Sequence, residues 1–250
     1  MPAMKKLPEI TLVFWIMKIA ATTLGETGGD LLAQTMRVGY AVSSLILITV
    51  FLASLGAQLG ARRFHPVLYW SVIWSTSTAG TTMSDFMNRT AGLGYLRGAV
   101  VLLAALGAVF AVWKVSGRPF DVTRVTGFRG ELLYWTAILF SNTLGTSLGD
   151  FLADDTRLGF GGGALLIAGL IALILLARHL TAVSATLLFW IAFVLTRPLG
   201  ATTGDFFSKP VAKGGLGYGT IGASLILAAV LLALIAYQTR KVRVLSPTPS

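Results

Sequence analysis

The chain has 250 residues, 55% hydrophobic and only 12% charged, with 28 glycines and no cysteine. A soluble domain carries roughly 25% charged residues, so this composition excludes one, and the lack of thiols excludes disulfides and thiolate metal sites. The formal charge of +10 sits in short stretches between apolar runs, without the extended basic face that nucleic acid needs, and reads as a topology signal.

A spanning helix needs about 20 mainly apolar residues. Eight segments qualify: 11–32, 40–59, 67–86, 96–113, 132–152, 164–177, 185–206 and 218–237, the sixth being short enough to extend back through Gly161 to Gly163. The longest connection, 114–131, leaves no room for a soluble domain. The expected fold is therefore all-α, a polytopic protein of eight transmembrane helices forming one integral membrane domain over 1–250.

An even number of spans puts both termini on one side. That side carries twelve Lys and Arg, from Lys5 and Lys6 to Arg240, Lys241 and Arg243, against six on the other, Arg37, Arg89, Arg97, Arg157, Lys209 and Lys213. The positive-inside rule then predicts cytoplasmic termini. Residues 1–21 have the basic start and apolar stretch of a signal peptide. Cleavage is not expected, because this segment contains a motif that three later segments repeat.

The motif is a Trp, then a Gly ten residues on, then an Asp five residues after that Gly. Its copies are Trp15 with TTLGETGGD, Trp70 with STAGTTMSD, Trp135 with NTLGTSLGD and Trp190 with RPLGATTGD. A Gly-aromatic pair follows each: Gly39-Tyr40, Gly94-Tyr95, Gly159-Phe160 and Gly217-Tyr218. Each copy thus reads as a two-helix hairpin, with repeats near 11–62, 66–116, 131–180 and 185–240. Units that cross twice share one orientation, so four parallel repeats are expected in a pseudo-symmetric bundle. Over Leu12 to Tyr237 the chain resembles a bacterial family of uncharacterised membrane-anchored proteins with four tandem two-helix repeats, each carrying a characteristic Trp. The resemblance implies architecture and leaves function open.

At 100° per residue Thr23, Thr27 and Asp30 share a stripe, as do Thr78, Thr82 and Asp85, and Thr143, Ser147 and Asp150. The fourth copy keeps Thr202 and Asp205 but has Pro198, where a kink or break is expected. A second stripe pairs Gly25 with Gly29, Gly80 with Ser84, Gly145 with Gly149 and Gly200 with Gly204. Such pairs let helices approach closely in lipid.

Five of the ten acidic residues lie in the motifs, Glu26, Asp30, Asp85, Asp150 and Asp205, against two basic residues inside the odd segments, Lys18 and Arg197. Lys18 is expected to snorkel to the near interface. Arg197 is the expected charge partner of one carboxylate, and Glu26 with Arg197 breaks the repeat symmetry at adjacent depth. At least three carboxylates then lack a partner, and buried carboxylates take up protons or bind a cation. The alternative is that each Asp caps a hairpin turn. The four Trp read as interfacial anchors or packing residues, Asp154 and Asp155 as solvated, and His65 and His179 as loop residues.

The function expected is transport or export of a small cation, a hard divalent metal such as Mn or Mg or a proton-coupled ion. The expected site is Asp30, Asp85, Asp150, Asp205 and Glu26 with Thr27, Thr82, Ser147 and Thr202, because hard oxygen ligands suit such ions. A channel is its near relative, and a structural or regulatory protein whose motifs only pack helices is the alternative. No GxGD, HExxH or nucleophile elbow occurs, so no enzyme is expected, nor any cofactor; the expected partners are the bilayer and the ion.

Overall fold

The computed structural model describes residues 7–119 and 121–245. Lys5, Lys6 and the side chain of Arg243, all counted for orientation, lie outside the described residues. Among the described residues eight long helices make up the fold: α1 (Leu12–Asp30), α2 (Tyr40–Gly60), α3 (Pro66–Asp85), α4 (Tyr95–Val115), α5 (Gly127–Asp150), α6 (Gly159–Leu180), α7 (Ala185–Ser208) and α8 (Gly219–Leu245). Five of them, α2, α4, α6, α7 and α8, are long and apolar enough to cross a bilayer. The other three fall short of that composition because hydroxyl, amide and charged residues run along their lengths, and most of those residues are buried inside the molecule.

The helix starts follow local chemistry. The Thr11 hydroxyl accepts the Phe14 N–H at 3.3 Å to cap α1, and Pro66 opens α3, where its missing N–H costs nothing. After their aspartates α1, α3 and α5 widen into one π turn each, Leu31–Thr35, Phe86–Thr90 and Phe151–Asp155. The chain then reverses at Gly39, Gly94, Gly159 and Gly217, with φ of 82°, 76°, 61° and 77°. That left-handed backbone is open to glycine at little cost, which explains the Gly before each aromatic residue. In the fourth copy a 3-10 turn, Val211–Lys213, replaces the π turn. Of the kink or break expected at Pro198, the break does not occur, since α7 runs on through it.

Helices α1, α3, α5 and α7 form a closed inner ring, each packed on the next and α7 on α1. Outside it, α2 lies along α3, α4 along α5, α6 along α7, and α8 returns to α1. The two helices of one repeat are thus not the self-contained hairpin that periodicity implies. Each outer helix covers the inner helix of the following repeat, so every repeat completes its neighbour. Leu45, Val100, Leu165 and Leu225 stand exposed on the outer helices. A continuous apolar exterior of this kind is compatible with a membrane protein.

The ring closes through glycine. A Cβ added at Gly25 would lie 2.5 Å from Ser77 Cβ, at Gly80 3.0 Å from Asn142 Cβ, at Gly145 2.4 Å from Arg197 Cβ and at Gly200 2.8 Å from Thr22 Cβ. One turn on, Gly29 meets Thr81, Gly149 meets Ala201 and Gly204 meets Glu26, while Ser84 shares a 2.8 Å hydrogen bond with Ser147. The aromatic end repeats the cycle, with centroids 5.7 Å apart for Phe14 and Trp70, 5.5 Å for Tyr69 and Trp135, 6.1 Å for Tyr134 and Trp190, and 5.5 Å for Phe189 and Trp15. Trp70, Trp135 and Trp190 are buried in this packing, and Trp15 is half-buried.

Replacing Gly145 by Val puts two methyl groups where Arg197 already stands, so it should lower the stability of the detergent-purified protein by about 1–3 kcal/mol or more. Gly107→Ala, where nothing lies within 4 Å of the added Cβ, should leave Tm unchanged or slightly raised, by helix propensity. Thermal unfolding of the two variants beside wild type checks the contrast; equal losses would count against ring closure through glycine.

Candidate functional site

Every fourth residue of each inner helix belongs to one ridge directed at the axis the four helices enclose. Such a ridge is inclined to its helix, so helices that share it cross at an angle, the geometry that paired small residues also favour. The ridges stack as layers of four: Phe14, Tyr69, Tyr134, Phe189; Lys18, Ile73, Ile138, Phe193; Thr22, Ser77, Asn142, Arg197; Glu26, Thr81, Thr146, Ala201; Asp30, Asp85, Asp150, Asp205; and Gln34, Arg89, Asp154, Lys209. The second to fifth layers are buried throughout.

The first layer closes the terminal end, with the Tyr69 and Tyr134 hydroxyls hydrogen-bonded at 2.8 Å. Lys18 lies fully buried beneath it. Its Nζ donates across the axis to Asn142 Oδ1 at 3.3 Å and sits 4.3 Å from the Phe193 ring centroid. Lys18 therefore does not extend outward as a snorkelling side chain would: the aromatic layer stands between its ammonium and the terminal end of the bundle.

Arg197 spans the axis in the layers above. Its Nη1 donates to Glu26 Oε2 at 3.0 Å and to the Thr22 carbonyl at 3.3 Å. Its Nη2 donates to the Ser77 carbonyl at 3.2 Å, to Thr146 Oγ1 at 2.7 Å and to Thr81 Oγ1. Thr81 and Thr146 in turn donate to Glu26 Oε2, each at 3.2 Å. One guanidinium thus ties all four inner helices, and the carboxylate it pairs with is reached both directly and through two hydroxyls.

The aspartates form the fifth layer, and none is without a basic neighbour. Arg89 Nε lies 2.8 Å from Asp85 Oδ1, and its Nη2 lies 3.7 Å from both Asp150 Oδ2 and Asp154 Oδ2. Lys209 Nζ donates to Asp30 Oδ2 and lies 3.3 Å from Asp205 Oδ1. Gln34 donates to the other oxygen of Asp30. The expectation of three partnerless carboxylates is corrected here: Arg89 and Lys209, four residues beyond Asp85 and Asp205, continue the ridge for one more turn and fold over the layer. Burial works against the charge on Lys209, but Asp205 and Asp30 outweigh it and hold the ammonium above its ordinary pKa range. Asp154, expected in solvent, is also a hydrogen-bond acceptor for Tyr95 Oη at 3.2 Å.

The hydroxyls of the motif go elsewhere. Thr27 bonds to Ser224 of α8 at 2.9 Å, Thr82 donates to the Ala79 carbonyl, Thr202 donates to the Pro198 and Leu199 carbonyls, and Ser147 pairs with Ser84 and Asn88. Among the described residues no backbone N–H donates to any of the four aspartates, so they are not turn caps. Carboxylate oxygens of Glu26, Asp30 and Asp205 do converge, all within 4.8 Å of one another. A pocket of about 550 Å³ lies beside this layer, lined among others by Gln34, Arg89, Asp154, Asp205, Lys209 and Lys213. Arg89, Lys209 and Gln34 were absent from the sequence-derived site; extending the four-residue register one step past each Asp finds them.

A family model described as a Repeat of Unknown Function (DUF347) matches the chain four times, at residues 13–64, 68–119, 133–184 and 188–243. These matches span most of the chain, which belongs to that repeat family. No curated protein and no solved structure matches it significantly.

Removing one member of a buried pair leaves an uncompensated charge, so Arg197→Met should cost about 3–5 kcal/mol. Adding Glu26→Gln to that variant should restore much of the loss. Tm values of the two single variants and the double variant form the cycle that checks this; strict additivity would mean the 3.0 Å contact carries no coupling.

Proposed function

We propose that this member of the repeat family is an integral membrane protein, that all eight of its long helices cross the bilayer, and that it moves a small cation in exchange for protons. Five helices meet the length and apolarity requirement on their own. The remaining three, α1, α3 and α5, lie in the inner ring, where polar faces meet each other and outer helices shield them from lipid. Polar residues at membrane depth face the bundle interior in this way.

The observation that carries the reading is the fifth layer, in which four aspartates share two basic side chains, Arg89 and Lys209. A surplus of buried carboxylate in a medium of low dielectric is relieved by protons or by a bound cation. Glu26, Asp30 and Asp205, whose oxygens converge, offer the hard ligand set for a divalent ion such as Mn or Mg. In this scheme Lys209 holds the place of the ion: its ammonium bridges Asp30 and Asp205 and swings into the adjoining pocket when a cation arrives. Glu26 then responds through Arg197, and a change in that pair is the step that reaches the deeper layers. The excess of Lys and Arg on the side of the termini supports termini on the cytoplasmic side and the carboxylate layer toward the outer face, in what we take to be a bacterial cytoplasmic membrane.

A second reading, a structural membrane protein, draws on the axis being packed with side chains and on every carboxylate of the fifth layer having a basic neighbour. Flux in proteoliposomes separates the two. Wild-type protein should move Mn or Mg with opposite proton movement, and Asp30→Asn with Asp205→Asn should abolish it while Tm stays within a few degrees. If no cation or proton moves with wild type, or the double variant transports as wild type does, the transport reading fails and the structural one stands.

A further inference from the structure

The imbalance in the fifth layer has an opposite deeper in the axis. There two basic side chains, Lys18 and Arg197, share one carboxylate, Glu26, and it lies against Arg197. Among the described residues Lys18 has no carboxylate within salt-bridge distance; its polar contact is the neutral Asn142 amide oxygen, and the Phe193 ring covers it. A fully buried ammonium so placed is costly unless a negative charge accompanies it.

In the next layer three further polar groups have no hydrogen-bond partner among the described residues: Asn142 Nδ2, Arg197 Nε and Ser77 Oγ. All three side chains are fully buried. They come from α5, α7 and α3 at equivalent ridge positions, and the structure ties them together. Asn142 is held at its oxygen by Lys18, and Arg197 reaches the Ser77 carbonyl at 3.2 Å. Arg197 Cγ crosses α5 at Gly145, one turn from Asn142. Two of the three groups are N–H donors, the third is a hydroxyl able to donate, and Lys18 has protons left over. Unsatisfied buried donors beside surplus positive charge call for an acceptor that is itself negative.

We propose that Lys18, Asn142 Nδ2, Arg197 Nε and the Ser77 hydroxyl form a buried binding site for a small monovalent inorganic anion of the halide class. The anion neutralises the deep axial charge, gives the donors an acceptor, and makes the inner ring electrically complete on the aromatic side of Glu26. A divalent oxyanion is too large for a layer packed this closely and would overshoot the single surplus charge. The site is independent of the aspartate layer: it is built from donors, and it holds whether or not cations move.

The test is the Tm of purified full-length protein in detergent over a chloride series, with gluconate holding ionic strength constant, repeated with bromide. Wild type should show a saturable rise of several degrees in either halide, as linkage requires for a ligand of the native state. Asn142→Asp places a carboxylate beside Lys18 and should match halide-loaded wild type in gluconate alone, with no further response to chloride. Lys18→Met should also lose the response. Bromide anomalous scattering from crystals should give one peak next to Lys18 Nζ. A wild-type Tm that ignores halide, meaning that water alone satisfies these donors, overturns the proposal, as does a halide response undiminished in Asn142→Asp. Proteoliposome cation flux is read separately, so either reading can fail without the other.

Discussion

The fold depends on helix backbones coming close enough for side chains of one inner helix to lie directly on the glycines of another. At Gly145 the aliphatic part of Arg197 occupies the space that a Cβ would take. The same approach at Gly25, Gly80 and Gly200 closes the ring. In the bilayer proposed for it the hydrophobic effect would contribute little to helix association, and close packing and interhelical hydrogen bonds would supply the drive. A wider ring would lose both, and the axial groups would no longer reach one another across the centre.

That closeness makes the axial charges possible. At low dielectric an isolated charge is expensive, and a pair is tolerated when its remaining lone pairs and protons are also used. Arg197 meets that condition on its two terminal nitrogens, with contacts on α1, α3 and α5. The layers on either side of it carry opposite surpluses, carboxylate toward the π turns and base toward the aromatic end. Such a polarised column responds as a unit, because a charge added at one layer changes the field at the next within a few ångströms.

Four repeats of one pattern would give four equal layers, and the departures carry the chemistry. Glu26 stands where the other copies have Thr81, Thr146 and Ala201, and Arg197 where they have Thr22, Ser77 and Asn142. Ala201 has no side-chain reach, which leaves room for the Arg197 of its own helix to turn upward toward Glu26. The sixth layer alternates Gln34, Arg89, Asp154 and Lys209 around the ring, so the two basic groups stand on opposite helices, α3 and α7, and each serves an aspartate on its own helix and one on a neighbour. The scaffold is nearly fourfold, and its electrostatics are closer to twofold.

Composition and periodicity by themselves determined the all-α class, the number of long helices and the four-part repeat with its aspartates. The reason is that apolar length, Trp-to-Asp spacing and small-residue pairs are local properties of a helix. They also singled out Glu26 and Arg197, because a departure from a repeat is visible without coordinates. The tertiary structure alone decided which outer helix covers which inner one, that Lys18 turns inward under an aromatic lid, that the hydroxyls of Thr27, Thr82 and Thr202 serve backbone or α8, and that Arg89 and Lys209 fold back over the aspartates. Each of these depends on the crossing angle of helices far apart in sequence. A hydropathy boundary drawn at the last apolar residue stops one turn short of the basic side chains that the tilted ridge carries into the site.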